Sequence, residues 1–135
     1  GNSFIAGLER KLAAGTVVPC PVDEIRTPID VLTLSAAVLE LCRTRFSGVL
    51  HRGSTDSVDR FTLTRRAAVL MGFDASLVTT PGPSQQPGPS APARAARHRR
   101  GVIGVEKARR LLSTPMLDWE TSLRRALEGR AGNGR

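Results

Sequence analysis

The residues best suited to chemistry in this chain are arginines set in loops beside helix starts. Arg26 lies in Asp23-Glu24-Ile25-Arg26-Thr27-Pro28, a polar run closed by a proline. Asp30 follows as a helix cap, so Arg26 sits just ahead of a helix N-terminus. A guanidinium presents paired donors that fit a diphosphate, and the helix start adds positive potential. The competing role for Arg26 is an ion pair with Asp23 or Glu24. Arg97, within the basic run Arg94, Arg97, His98, Arg99 and Arg100, is a second anion-binding candidate. Its competing role is that of a solvated member of the run. His51 and His98 are the two histidines, and neither stands in a Ser–His–Asp order or a metal-ligand spacing. Cys20 and Cys42 also lack metal spacing, and are expected as buried free thiols in a reducing cytoplasm.

The elements that must position these residues alternate between helices and short strands. Residues 3 to 14 predict a helix capped by Asn2 or Ser3, with Phe4, Leu8 and Leu12 at four-residue spacing and Gly15 as its end. Thr16-Val17-Val18 predicts a short strand stopped by Pro19. After Asp30, a helix should bury the stripe Val31, Leu34, Val38, Leu41 and Cys42, with Leu39 beside it. Val49-Leu50-His51 predicts a short strand. Ser57 or Asp59 opens a third helix with Leu63, Ala67, Leu70 and Met71 inward, stopped by Gly72. Residues 76 to 79 predict another strand. Residues 80 to 93 hold five prolines and two glycines and exclude helix and sheet. A short helix over 105–112 buries Ala108, Leu111 and Leu112. Asp118 caps a last helix with Trp119 as core anchor and Leu123 and Leu127 on the same face. The tail from Gly129 is expected to fray. The pattern is α/β, with strands at the edge of a parallel sheet begun elsewhere.

Composition narrows the class. At 135 residues the chain is at most one modest domain, and a chain this size buries only roughly two thirds of its unfolded surface. It starts at Gly1 and enters a helical pattern at once, which reads as a piece of a longer protein. A net charge of +8 favours anionic partners. No apolar run approaches the roughly 20 residues a membrane span needs, and there is no signal-peptide pattern, so a cytoplasmic location is expected.

One ordered set of short motifs resembles a known family. Gly1-Asn2-Ser3-Phe4 is similar to a Gly-x-Asn-Phe segment that leads into a helix, and Asp23 to Pro28 resembles an Asp-Gln/Glu-x-x-x-Pro loop. Gly48-Val49-Leu50-His51 resembles a Gly-x-Tyr/Leu-His strand, and Arg97 stands where an Arg-Pro dipeptide is found. Lys107 to Leu112 and Asp118-Trp119 through Leu123 resemble closing Lys-x-x-x-Leu-Leu and Trp-x-x-x-Leu patterns. Together they resemble the C-terminal part of the extended short-chain dehydrogenase/reductases of the dTDP-4-dehydrorhamnose reductase-like group.

The resemblance implies a Rossmann-like α/β fold of which this chain carries the substrate side over residues 1–128. That part includes a Pro-rich and basic loop at 80–100, and 129–135 is expected to be a flexible tail. It implies a nucleotide sugar as ligand, held by Arg26 and Arg97 with Asn2 and Phe4 bordering the cleft. It implies NADP or NAD as cofactor of the whole protein, held by a missing N-terminal Rossmann half and not by this chain. The chain departs from the family at four points, two of which are His98 in place of the proline after Arg97 and a Pro-rich loop longer than expected. It contains no tyrosine, so the Tyr-x-x-x-Lys proton-transfer pair is missing. It also has no glycine-rich strand–turn–helix fingerprint, since Gly101-Val102-Ile103-Gly104 is too short. No catalytic residue is therefore assigned, and a non-catalytic role is open, as for the regulatory β subunit of methionine adenosyltransferase in the same group. The alternative is a small basic nucleic-acid-binding module using Arg94 to Arg110. That run lacks the interleaved aromatics that stack bases, and the chain has no helix-turn-helix or zinc spacing.

Overall fold

The computed structural model describes residues 3–82 and 99–131. Their contacts divide the chain into two compact units, Gly1–Ile25 with Asp59–Gly101, and Arg26–Val58 with Val102–Arg135.

In the first unit, α1 (Phe4–Ala13) begins where the Ser3 hydroxyl accepts the Ala6 N–H at 3.2 Å. It ends where Gly15 takes a φ of +67°, a conformation that glycine adopts without strain. Strand β1 (Val18–Pro19) pairs in parallel with β4 (Val78–Thr79), Val18 opposite Val78 and Pro19 opposite Thr79. Pro19 is therefore inside the strand it was expected to stop. The ladder tolerates it because the next donor is the Cys20 N–H, which reaches the Thr79 carbonyl at 2.8 Å.

Helix α3 (Arg60–Leu70) is capped by Asp59, which accepts the Thr62 N–H at 2.8 Å, and stops before Gly72 at φ +80°. Its most buried positions are Thr64, Ala67 and Ala68, while Leu63, Leu70 and Met71 are half-buried. Small side chains let α1 and β4 approach closely, with Leu8, Leu12, Val18, Cys20 and Val78 filling the core. Thr64 can be buried because its hydroxyl donates to the Arg60 carbonyl at 2.7 Å and accepts the Cys20 thiol at 3.4 Å. A single 3₁₀ turn, Ala75–Leu77, leads into β4. Two-residue strands β2 (Ile25–Arg26), β3 (Val58–Asp59) and β5 (Arg100–Gly101) form a set in the order β3-β2-β5. Arg26 thus lies in a short strand and not in the open loop expected from its polar neighbours.

In the second unit, α2 (Val31–Leu41) is capped by Asp30, which accepts the Thr33 N–H at 2.8 Å. It packs on α5 (Trp119–Ala131), and its buried residues are Thr33 and Ala37. The expected apolar stripe is on the other side. Val31 is 69% exposed, Leu34 40%, Val38 50% and Leu39 64%, and Cys42 is exposed as well. The helix is apolar almost all round, so periodicity could not choose its inner face. The choice falls to the small side and to Glu40, which is tied to residues 113–114.

Val49 to His51 form no strand, and Val49 is 71% exposed. A strand requires a neighbour, and among the described residues no backbone–backbone hydrogen bond reaches this segment. Helix α4 (Glu106–Leu111) buries Ala108, with Leu112 buried just past its end, but leaves Leu111 38% exposed. Asp118 caps α5 as expected, with the Thr121 N–H at 2.7 Å. Trp119 is half-buried, not a core anchor, and α5 continues through Gly129 to Ala131. The Pro-rich run from residue 83 to 93 and the basic residues 94–98 lie outside the described residues. Among the described residues no helix is long and apolar enough to cross a membrane.

Candidate functional site

Of the four residues expected to meet a ligand, Asn2 and Arg97 lie outside the described residues. Phe4 is the first residue of α1 and is 43% exposed. Arg26 is the last residue of β2 and is half-buried. Phe4 belongs to the first unit and Arg26 opens the second.

The loop ahead of Arg26 is held from both sides within the first unit. Glu24 accepts Arg60 Nη1 at 3.2 Å, and the Glu24 carbonyl accepts the Arg60 N–H at 3.0 Å. Asp23 pairs with Arg99 Nη1 at 3.0 Å, and the Ile25 N–H donates to the Arg99 carbonyl at 2.7 Å. Glu24 thus pairs with Arg60, and Asp23 with Arg99. The exposed Asp23–Arg99 pair contributes little stability by itself. The Glu24–Arg60 pair is more sheltered, with the carboxylate 14% exposed. Arg60 also lies over the Phe4 ring, 5.8 Å from its centroid. Sequence reasoning missed Arg60, although a signal existed. It is the first residue of a helix, where a cation opposes the macrodipole and calls for a carboxylate beside it.

In the second unit the backbone near Arg26 is fixed by contact. A Cβ on Gly53 would meet Thr27 Oγ1 at 2.9 Å and the Thr27 carbonyl at 3.0 Å. Arg52 donates through Nη2 to the carbonyls of Thr114 and Pro115 at 2.9 and 2.7 Å. Glu40 accepts the N–H groups of Ser113 and Thr114 and the Thr114 hydroxyl. A carboxylate and a guanidinium therefore grip opposite polarities of one stretch of backbone. Burial pushes the Arg52 guanidinium down, and the Glu40 charge opposes that shift.

The Glu40 carboxylate is held down to about 2 from 4.5, first by the Thr114 hydroxyl and then by the two N–H groups. A lowered carboxylate pKa stabilises the fold above the unfolded value and loses that contribution as pH falls. The thermal midpoint should therefore drop between pH 4.5 and about 2. Glu40→Gln should flatten that limb. Parallel slopes for the two proteins, measured by circular dichroism melts across this range, would contradict the assignment.

His51 is exposed and outside any strand, and no group of acidic, histidine or cysteine side chains able to hold a metal occurs among the described residues. The segment Gly101 to Gly104 does not fit a dinucleotide. The helix after it is only α4, and a Cβ on Gly104 would lie 3.3 Å from Glu106 Oε2. A carboxylate thus stands in the first turn, where a pyrophosphate needs free N–H groups.

No family model and no curated protein matches the chain. Solved structures do. The dTDP-4-dehydrorhamnose reductase of Bacillus anthracis in complex with NADP superposes with a TM-score of 0.79 at 21% identity, over 96% of this chain and 44% of that one. The dTDP-4-dehydrorhamnose reductase of Yersinia enterocolitica gives 0.73 at 19% identity, over 95% and 43%. The dTDP-glucose 4,6-dehydratase of Bacillus anthracis in complex with NAD gives 0.68 at 15%, over 98% and 40%. The chain spans less than half the length of each. Its fold is that of the matched part of these enzymes, α/β with helices packed on a few short strands.

Proposed function

We propose that the chain is the substrate-binding part, over residues 1–128, of an NAD(P)-dependent sugar-nucleotide reductase of the dTDP-4-dehydrorhamnose reductase type, acting in the cytoplasm. The observation that carries this is a fold shared over 96% of the chain with a reductase of that kind. In this reading Arg26 and Arg97 grip the diphosphate and Asn2 and Phe4 border the nucleotide-sugar cleft. Arg60, set by Glu24, braces Phe4. Cofactor and proton transfer belong to a Rossmann half outside this chain. The absence of tyrosine and of a glycine fingerprint from the sequence supports that division. Binding the remote nucleotide would supply the energy that orients the sugar.

The 135-residue chain, titrated calorimetrically, should take dTDP and ignore NADPH. Mixed with a dTDP-4-dehydro sugar and NADPH, it should leave the absorbance of NADPH constant. Turnover, or NADPH bound more tightly than dTDP, would overturn the reading.

A further inference from the structure

In the second unit, Asp30 Oδ2, Thr33 Oγ1 and Ser122 Oγ are buried and meet no partner among the described residues. Their residues are 3%, 4% and 2% exposed. A buried oxygen without a hydrogen bond is costly, and native interiors pair nearly all of theirs. Elsewhere in this chain a buried hydroxyl turns back on its own helix, as Thr64 does to the Arg60 carbonyl. The hydroxyls of Thr33 and Ser122 do not.

The three oxygens belong to the seam where α2 meets α5. Asp30 caps α2, and its other oxygen, Oδ1, accepts the Thr33 N–H at 2.8 Å, so both residues share the first turn. Across the seam, Arg125 Nε lies 4.0 Å from the same Oδ1. Ser122 stands three residues before Arg125 and therefore on the same face of α5. Arg125 does not satisfy the carboxylate. A separation of 4.0 Å is beyond hydrogen-bond reach, and the Arg125 side chain is 44% exposed where that of Asp30 is 1%. Asp30 thus uses one of roughly four acceptor positions, although it is shut away from bulk solvent.

We propose that Asp30 Oδ2, Thr33 Oγ1 and Ser122 Oγ form a site for one structural water molecule, which ties the N-terminus of α2 to α5. Water donates twice and accepts twice. It can donate to Asp30 Oδ2 and to one hydroxyl while accepting from the other, the roughly three bonds common for buried waters. A metal cation fits poorly. Three oxygens fall short of the roughly six to eight that hold calcium, and a helix N-terminus and a guanidinium stand close by, both positive. An anion would face the Asp30 carboxylate. The site lies wholly within the second unit and is independent of the nucleotide-sugar reading.

The sign of a thermal shift in the full 135-residue chain tests the site. Threonine and valine have nearly the same shape and similar helix propensity, so Thr33→Val reports the hydroxyl alone. With the water in place, Thr33→Val takes a partner from it, and the midpoint should fall by about 3 °C. With no water, the same change removes an orphaned hydroxyl and the midpoint should rise. Ser122→Asn tests the room. Its amide can take the place of the water, so this variant should melt within about 2 °C of the parent, whereas a seam without space would be overpacked. A crystal structure of the chain should show one solvent peak about 2.6–3.2 Å from all three oxygens. The proposal is overturned by a level or raised midpoint for Thr33→Val, by a larger fall for Ser122→Asn, or by hydroxyls bonded directly to protein with no solvent peak. A peak at about 2.3–2.5 Å with further ligands would mark a cation and overturn it as well.

Discussion

Replacing Arg26 by alanine in a protein that joins this chain to its cofactor half should weaken nucleotide-sugar binding by about 1.5–3 kcal/mol, roughly ten- to a hundredfold in affinity. Lysine at the same position should lose less, because it keeps the charge and forfeits only the paired donors. Affinity for NADPH should stay nearly constant with either residue. The expectation follows from geometry and from electrostatics. Arg26 ends a short strand just ahead of the Asp30-capped helix α2. A structural role for Arg26 predicts a different pattern, with a lowered thermal midpoint for Arg26→Ala and an unchanged Michaelis constant for the sugar. Titrations of each variant with nucleotide sugar and with NADPH separate the two. Equal losses for both ligands, or none for the sugar, would remove Arg26 from the site.

Local signals were legible in the sequence because their physics is local. Ser3, Asp30, Asp59 and Asp118 each cap the helix that follows, and each accepts the backbone N–H three residues on. Gly15 and Gly72 stop helices at positive φ. What failed depends on residues far away in the chain. The inner face of α2 is set by α5, about 90 residues later, and an all-apolar helix carries no periodic clue to it. The Val49–His51 strand failed because alternation and β-propensity describe a segment's readiness for a sheet, not the presence of one. Strands β2 and β5 escaped notice because two-residue pairings leave no pattern. The candidate site shows the same division. Arg26 was found from its loop and the cap after it, whereas the Arg60 contacts to Glu24 and Phe4 join segments 36 and more residues apart.

Gly53→Ala should be the most damaging small substitution in the second unit. The added methyl would stand 2.9 Å from Thr27 Oγ1, 3.0 Å from the Thr27 carbonyl and 3.1 Å from Thr27 Cβ. Three contacts with one residue, one of them backbone, cannot be relieved by turning a flexible side chain. Either residues 26–28 or residues 52–54 must move. Neither stretch is free to do so cheaply. Pro28 restricts Thr27 to extended conformations, and Arg52 and Ser54 are anchored to the carbonyls of Thr114, Pro115 and Asp56. Overpacking of this kind typically costs about 1–3 kcal/mol, which for a chain of this size lowers the thermal midpoint by several degrees. A retained fold should also carry a displaced Arg26, so Gly53→Ala should weaken dTDP binding beyond what the lost stability explains. Thr27→Ala, which removes the Oγ1 that stands 2.9 Å from the added methyl, should partly rescue both effects if the clash is their cause. A midpoint for Gly53→Ala equal to that of the parent chain would mean that the turn at Gly53 stands further from Thr27 than the structure has it.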